Sequence, residues 1–125
     1  MIIDTDVLIW FLRGNEKAEK AVIEAIPFSI SAVTYMELLQ GMRNKQEMEK
    51  MKNAFAKMKV NIVPINEEIS YKAAEYVEMY SLSQSMEMAD ALIASTCINS
   101  HEALMTANDK HYRFIDQIKI NVFRP

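Results

Sequence analysis

The sequence predicts a three-layer α/β/α sandwich built on a mostly parallel sheet of about five strands. Five short runs rich in Ile, Val and Phe, at residues 1–3, 28–31, 60–65, 103–106 and 119–123, have the length and composition of strands. Between them apolar residues return at helical spacing: Ile69, Ala73, Tyr76, Val77 and Tyr80 form one stripe, and Met48, Met51, Phe55 and Met58 another. Strands that alternate with helices are joined by crossovers, which pair the strands in parallel and cover both faces of the sheet. No repeat, biased tract or Pro/Gly/Ser-rich boundary interrupts the pattern, so residues 1–125 are expected to form one domain.

With 125 residues, half of them hydrophobic and a quarter charged, the chain can bury a core without disulfides or a structural metal. Its one cysteine, Cys97, lies in an apolar helical pattern, so a buried thiol and a reducing, cytoplasmic setting are expected. The longest apolar run, residues 7–12, is too short to span a bilayer and follows two aspartates, unlike a basic leader, so neither membrane insertion nor export is expected. The net charge of −3 argues at first against a polyanionic partner. Net charge misleads, however, if several acids collect in one site, because the remaining charges are then nearly balanced.

Along the chain, the first strand ends at Asp4, and Asp4-Thr5-Asp6 can cap a helix that closes near Gly14. That helix, residues 7–12, is apolar all round. It is either fully buried in the monomer or packed on the sheet with one face and on a partner with another, Trp10 being the best anchor. Capping accounts for one aspartate more readily than for two, and a carboxylate at a strand's carboxyl end stands where this class of fold binds ligands. A second helix begins directly after the second strand, at Ser31. Val33, Thr34, Glu37 and Gly41 share one of its faces, which sets Glu37 among small or β-branched neighbours, whereas Tyr35, Leu38, Leu39 and Met42 form an apolar face. Asp90 shares a helical face with Ile93, Ala94 and Cys97, where an acid is costly unless paired, hydrogen-bonded or bound to a cation, or stabilised by the helix N-terminus. The turn at residues 106–112 again follows a strand and offers Asn108 and Asp109, which are also ordinary loop residues.

Clustered carboxylates repel one another, and one or two divalent cations relieve that repulsion. Hard cations such as Mg²⁺ take oxygen ligands, activate water and stabilise an in-line phosphoryl displacement. No competing set is present: His101 and His111 lack metal-ligand spacing, and there is no G-x-S-x-G, phosphate-binding glycine loop or C-x-x-C. Metal-assisted hydrolysis of a phosphodiester is the chemistry that remains.

Four segments, MIIDTDVLI at 1–9, SAVTYMELLQG at 31–41, ADALIAST at 89–96 and LMTANDKHY at 104–112, resemble the motifs of PIN-domain ribonucleases, VapC-type toxins above all. The resemblance spans essentially the whole chain. It implies a PIN-like three-layer fold, a Mg²⁺- or Mn²⁺-dependent endoribonuclease, a VapB-like antitoxin whose tail occludes the site, and a homodimer that uses the helix at residues 7–12. It assigns Asp4, Glu37 and Asp90 to the first three family acids and to the metal. The fourth position falls to Asp109 with the adjacent Asn108 as rival, supported by the Thr106 hydroxyl and by Asp6. For RNA the chain offers Arg43, Lys50 and Lys57, recurring every seven residues, and the parallel row Lys45, Lys52 and Lys59, with Arg13 and Lys110 as further phosphate contacts. A merely solvated face explains the same rows.

Two rivals stay open. Asp4-Thr5-Asp6 after an apolar strand also resembles the D-x-D motif of haloacid-dehalogenase-type phosphatases, with Asp4 as nucleophile and Asp6 as acid. A non-catalytic PIN-like binding module would use the same acids only as caps or for a structural cation.

Overall fold

The computed structural model describes residues 1–125. In chain order it consists of β1 (Ile2–Ile3), α1 (Thr5–Leu12), α2 (Glu16–Ala25), β2 (Ser29–Ser31), α3 (Ala32–Gln40), α4 (Lys45–Lys57), β3 (Asn61–Val63), α5 (Glu67–Gln84), α6 (Met88–Ser100), β4 (Leu104–Thr106), a 3₁₀ turn (Asp109–His111) and β5 (Ile120–Val122). The strands form one sheet in the order β3-β2-β1-β4-β5, and every neighbouring pair is parallel. All five expected strands are present, each shorter than its apolar run.

Successive strand residues point to opposite faces, and β1, the central strand, shows what that does here. Ile2 enters a core with Tyr76, Ile93, Cys97, Leu104 and Tyr112, beneath α5 and α6. Ile3 enters a second core with Val7, Val22, Ile30, Met51 and Phe55, beneath α1 to α4. Two cores on either side of one sheet make the three layers.

The apolar stripes behave as core. In α4, Met51 and Phe55 are buried, and in α5 Ile69, Ala73 and Tyr76 are. Phe55→Ala is therefore expected to cost about 3–5 kcal/mol of stability, read as a lower urea midpoint with an unchanged slope. Cys97 is buried as expected. No helix is long and apolar enough to cross a membrane.

Three local expectations change. Helix α1 starts at Thr5, two positions before the apolar run, because Asp4 and not Asp6 is its N-cap. Helix α2 gave no strong signal, since only Ala18 and Val22 are buried in a run otherwise dominated by Glu, Lys and Ala; Asn15 caps it through Ala18 N. The heptad rows of basic residues are also cut short. Arg43 precedes the N-cap Asn44, and Lys59 follows the C-cap Met58 with φ 53°, so only Lys50/Lys57 and Lys45/Lys52 are true helical rows.

From β1 the chain proceeds outward through β2 and β3 on one side, then crosses to β4 and β5 on the other. The switch point lies between β1 and β4, where the connections leave the carboxyl edge in opposite directions and open a crevice. Asp4 and Thr106 stand at that edge.

Candidate active site

Asp4 follows β1 directly and is 6% exposed. Its Oδ1 accepts from Thr5 N (2.8 Å) and its Oδ2 from the Thr106 hydroxyl (2.8 Å). Burial and, next, the neighbouring Asp6 carboxylate raise its pKa to about 7 in spite of those donors. Asp6 is arranged in the same way: Oδ1 accepts from Val7 N (2.7 Å), and Oδ2 accepts from Ala107 N (3.1 Å) and Asn108 Nδ2 (2.9 Å). Its pKa too is raised, by burial. Capping and site membership are thus not alternatives. Each aspartate gives one oxygen to the start of α1 and turns the other toward β4.

Asp90 lies in the first turn of α6, half-buried, while Ile93, Ala94 and Cys97 on its face are buried as expected. Tyr112 donates its hydroxyl to Asp90 Oδ1 (3.2 Å), and His111 Nδ1 lies 3.3 Å from Oδ2. Burial raises the pKa of Asp90 against the opposing pull of His111 and Tyr112. Tyr112 is fully buried, and that burial, with the Asp4 and Asp90 charges beside its hydroxyl, pushes its pKa far above the ordinary range. The phenol therefore stays protonated.

Glu37 is exposed on α3. Its Oε1 accepts from the Thr5 hydroxyl (2.8 Å), which itself lies 3.0 Å from the hydroxyl of buried Thr34. Each hydroxyl carries one proton, so the sequence of donors runs Thr34 to Thr5 to Glu37. This contact ties α3 to the start of α1.

The turn after β4 divides its residues differently from the expected fourth acid. Asp109 pairs with Arg124 (2.8 Å), which lowers its pKa, and makes no hydrogen bond to the other acids. Arg124 also donates to Ala107 O (2.7 Å). Asn108 instead reaches the cluster through Asp6, and its backbone N–H donates to the Thr106 hydroxyl (3.0 Å). The strand β5 arranges this: Phe123 N bonds to Thr106 O, which brings Arg124 alongside the turn, where it pairs with Asp109. No sequence signal marked Arg124, and Tyr112 closed one of the four motif segments without a role of its own, because the roles of both depend on contacts across the sheet edge.

No three His, Cys, Asp or Glu side chains form a ready-made metal-holding group. The donor chemistry nevertheless fits a hard divalent cation. Asp4, Asp6 and Asp90 are all carboxylates whose charged forms burial disfavours, and nearby positive charge would favour them.

Beside Glu37 a groove of about 790 Å³ runs between α1, α3 and α4, lined by Phe11, Arg13, Arg43, Lys50 and Met51 among others. Arg43 is held by Glu47 (2.7 Å), and Arg13 lies over the Trp10 ring at 6.0 Å. Lys57 is exposed farther along α4, outside that lining, and Lys110 is exposed beside His111. In α1, Val7 and Leu8 are buried but Ile9 and Leu12 are open, so the helix is not enclosed within the monomer.

A doubly covered parallel sheet with carboxylates gathered at its switch point defines an α/β protein whose candidate site is built of oxygen donors. A PIN-domain family model matches residues 1–117. Among curated proteins, ribonuclease VapC10 of Mycobacterium tuberculosis is 32% identical over 123 residues, covering 95% of this chain and 90% of the relative. Ribonuclease VapC1 of Methanocaldococcus jannaschii is 27% identical, covering 98% and 86%. Among solved structures, a toxin–antitoxin complex from Klebsiella pneumoniae is 26% identical with a TM-score of 0.78, covering 94% of this chain and 93% of that one. VapBC2 from Rickettsia felis, bound to a promoter DNA fragment, shares the fold at a TM-score of 0.81 and 15% identity, covering 98% of both chains. The chain belongs to the PIN-domain family, on the branch of the VapC ribonucleases.

Proposed function

We propose that this chain is a divalent-metal-dependent endoribonuclease, the toxin of a toxin–antitoxin pair, working in the cytoplasm as one nuclease domain over residues 1–125. The observation that carries the reading is the carboxylate cluster at the switch point: Asp4 and Asp6 side by side, with Asp90 joined across Tyr112. Asp4, Asp90 and Glu37 hold the cation, Mg²⁺ or Mn²⁺, which supplies charge neutralisation and activation of water for an in-line displacement at phosphorus. Asp6 takes the place in the cluster expected of Asp109. Thr106 orients Asp4, and Asn108 orients Asp6.

RNA approaches along the groove beside Glu37, where Arg13 and Lys50 meet phosphates; Arg43, Lys57 and Lys110 extend the basic surface. A VapB-like antitoxin tail occupies the same groove and blocks that approach. A second copy associates through α1, with Trp10 as anchor.

Incubating purified protein with RNA and Mn²⁺ or Mg²⁺, then sequencing the new ends, tests the reading. Internal cuts that vanish on chelation and on addition of the antitoxin are expected. Turnover of small phosphate esters without RNA cleavage would favour the phosphatase alternative and overturn this one.

A further inference from the structure

We propose that Tyr112 is a positioning residue whose hydroxyl fixes Asp90 against Asp4 and so sets the affinity of the site for its cation. The inference rests on the metal-dependent reading above.

The Tyr112 ring is 0% exposed, and it packs in the core that contains Ile2, Leu104 and Cys97. Its backbone is held at both ends, with Tyr112 N bonded to Asp109 O (3.0 Å) and Ile115 N to Tyr112 O (2.9 Å). The hydroxyl therefore stands at a fixed point, and that point is 3.2 Å from Asp90 Oδ1. Packing alone does not ask for it. Phenylalanine would fill the same space, and a buried phenol is costly unless its O–H finds a partner.

Asp90 needs such a partner, because its carboxylate in the first turn of α6 is largely withdrawn from solvent, with 23% of the side chain exposed. Its other oxygen lies 3.3 Å from Nδ1 of His111, whose ring is itself more than half exposed. Tyr112 is thus the rigid donor on the third acid, as Thr106 is on the first. Removing a hydrogen-bond partner that orients a metal ligand typically weakens metal affinity by about 10–100-fold.

The experiment is a Mn²⁺ titration of wild type, Tyr112→Phe and His111→Ala, followed by paramagnetic resonance in the absence of RNA, with RNA cleavage measured separately. Tyr112→Phe is expected to weaken Mn²⁺ binding by about 10–100-fold. It should lower kcat at limiting Mn²⁺, leave the KM for RNA unchanged, recover with excess Mn²⁺, and leave the metal-free chain folded at the assay temperature, with the far-UV circular dichroism of wild type. His111→Ala should weaken binding less. Unchanged Mn²⁺ affinity in Tyr112→Phe overturns the proposal, as does a loss accompanied by partial unfolding of the metal-free variant at the assay temperature, or a wild type that binds no Mn²⁺. A wild type that binds Mn²⁺ but leaves RNA intact overturns the ribonuclease reading alone, because the binding comparison stands without RNA.

Discussion

Asp90→Asn and Asp4→Asn are each expected to lower kcat/KM for RNA cleavage by roughly 10²-fold or more, at least the loss that follows when only a ligand's supporting partner is removed. Asparagine has nearly the volume of aspartate and keeps an acceptor oxygen. At position 90 it can still receive the Tyr112 hydroxyl, and at position 4 it can still accept from Thr5 N or Thr106. The packing therefore survives while the negative charge is lost. On the proposed reading excess Mn²⁺ should restore little of the activity, unlike the Tyr112→Phe case, since the substitution would remove a ligand and not merely loosen one. Circular dichroism with steady-state kinetics checks both halves of the expectation. Wild-type cleavage by both variants would remove these residues from the reaction.

The second large effect concerns stability without metal. The pKa of Asp4 is about 7 in the folded chain against an ordinary 3.8. Between those values the folded chain retains a proton that the unfolded chain has released, so stability falls as pH rises through the window. The contribution is present in full below about pH 4 and is lost by about pH 7, amounting to roughly 4 kcal/mol at about 1.4 kcal/mol per pH unit. Asp6 and Asp90, also raised, push in the same direction. Asp4→Asn removes the largest part of this dependence, so the metal-free variant should melt above wild type at pH 8 and near it at pH 4. If the proposed site holds Mn²⁺, the ion should stabilise wild type at pH 8, because binding to the folded state alone shifts the equilibrium toward it. Urea denaturation of both proteins across pH, with chelator and with Mn²⁺, provides the check. Parallel pH profiles for wild type and variant would contradict the burial of an uncompensated charge at Asp4.

Both effects arise from residues that the sequence already marked. Asp4 was legible because it ends an apolar strand, and Asp90 because it interrupts the buried face of a helix; local periodicity carries such information. Glu37 was harder to read, since a helical glutamate is ordinarily solvated. Only its bond from Thr5 ties it to the start of α1. Helix α2 escaped because alanines supply much of its partly buried face, so its apolar stripe contrasts weakly with its surroundings.

The sequence by itself determined the alternating β and α elements, the parallel sheet they require, the two covering layers and the acids at strand ends. These follow from patterns within a few residues. Which acids meet was decided only by the tertiary structure. Asp109 is adjacent to Asn108, yet β5 brings Arg124 beside the turn to pair with Asp109, while it is Asn108 that bonds to Asp6. Tyr112 joins Asp90 because α6 and the turn after β4 pack against the same face of β1. Contacts of this kind depend on sheet order, and sheet order is fixed by the burial of both faces of β1 together, which no local segment specifies.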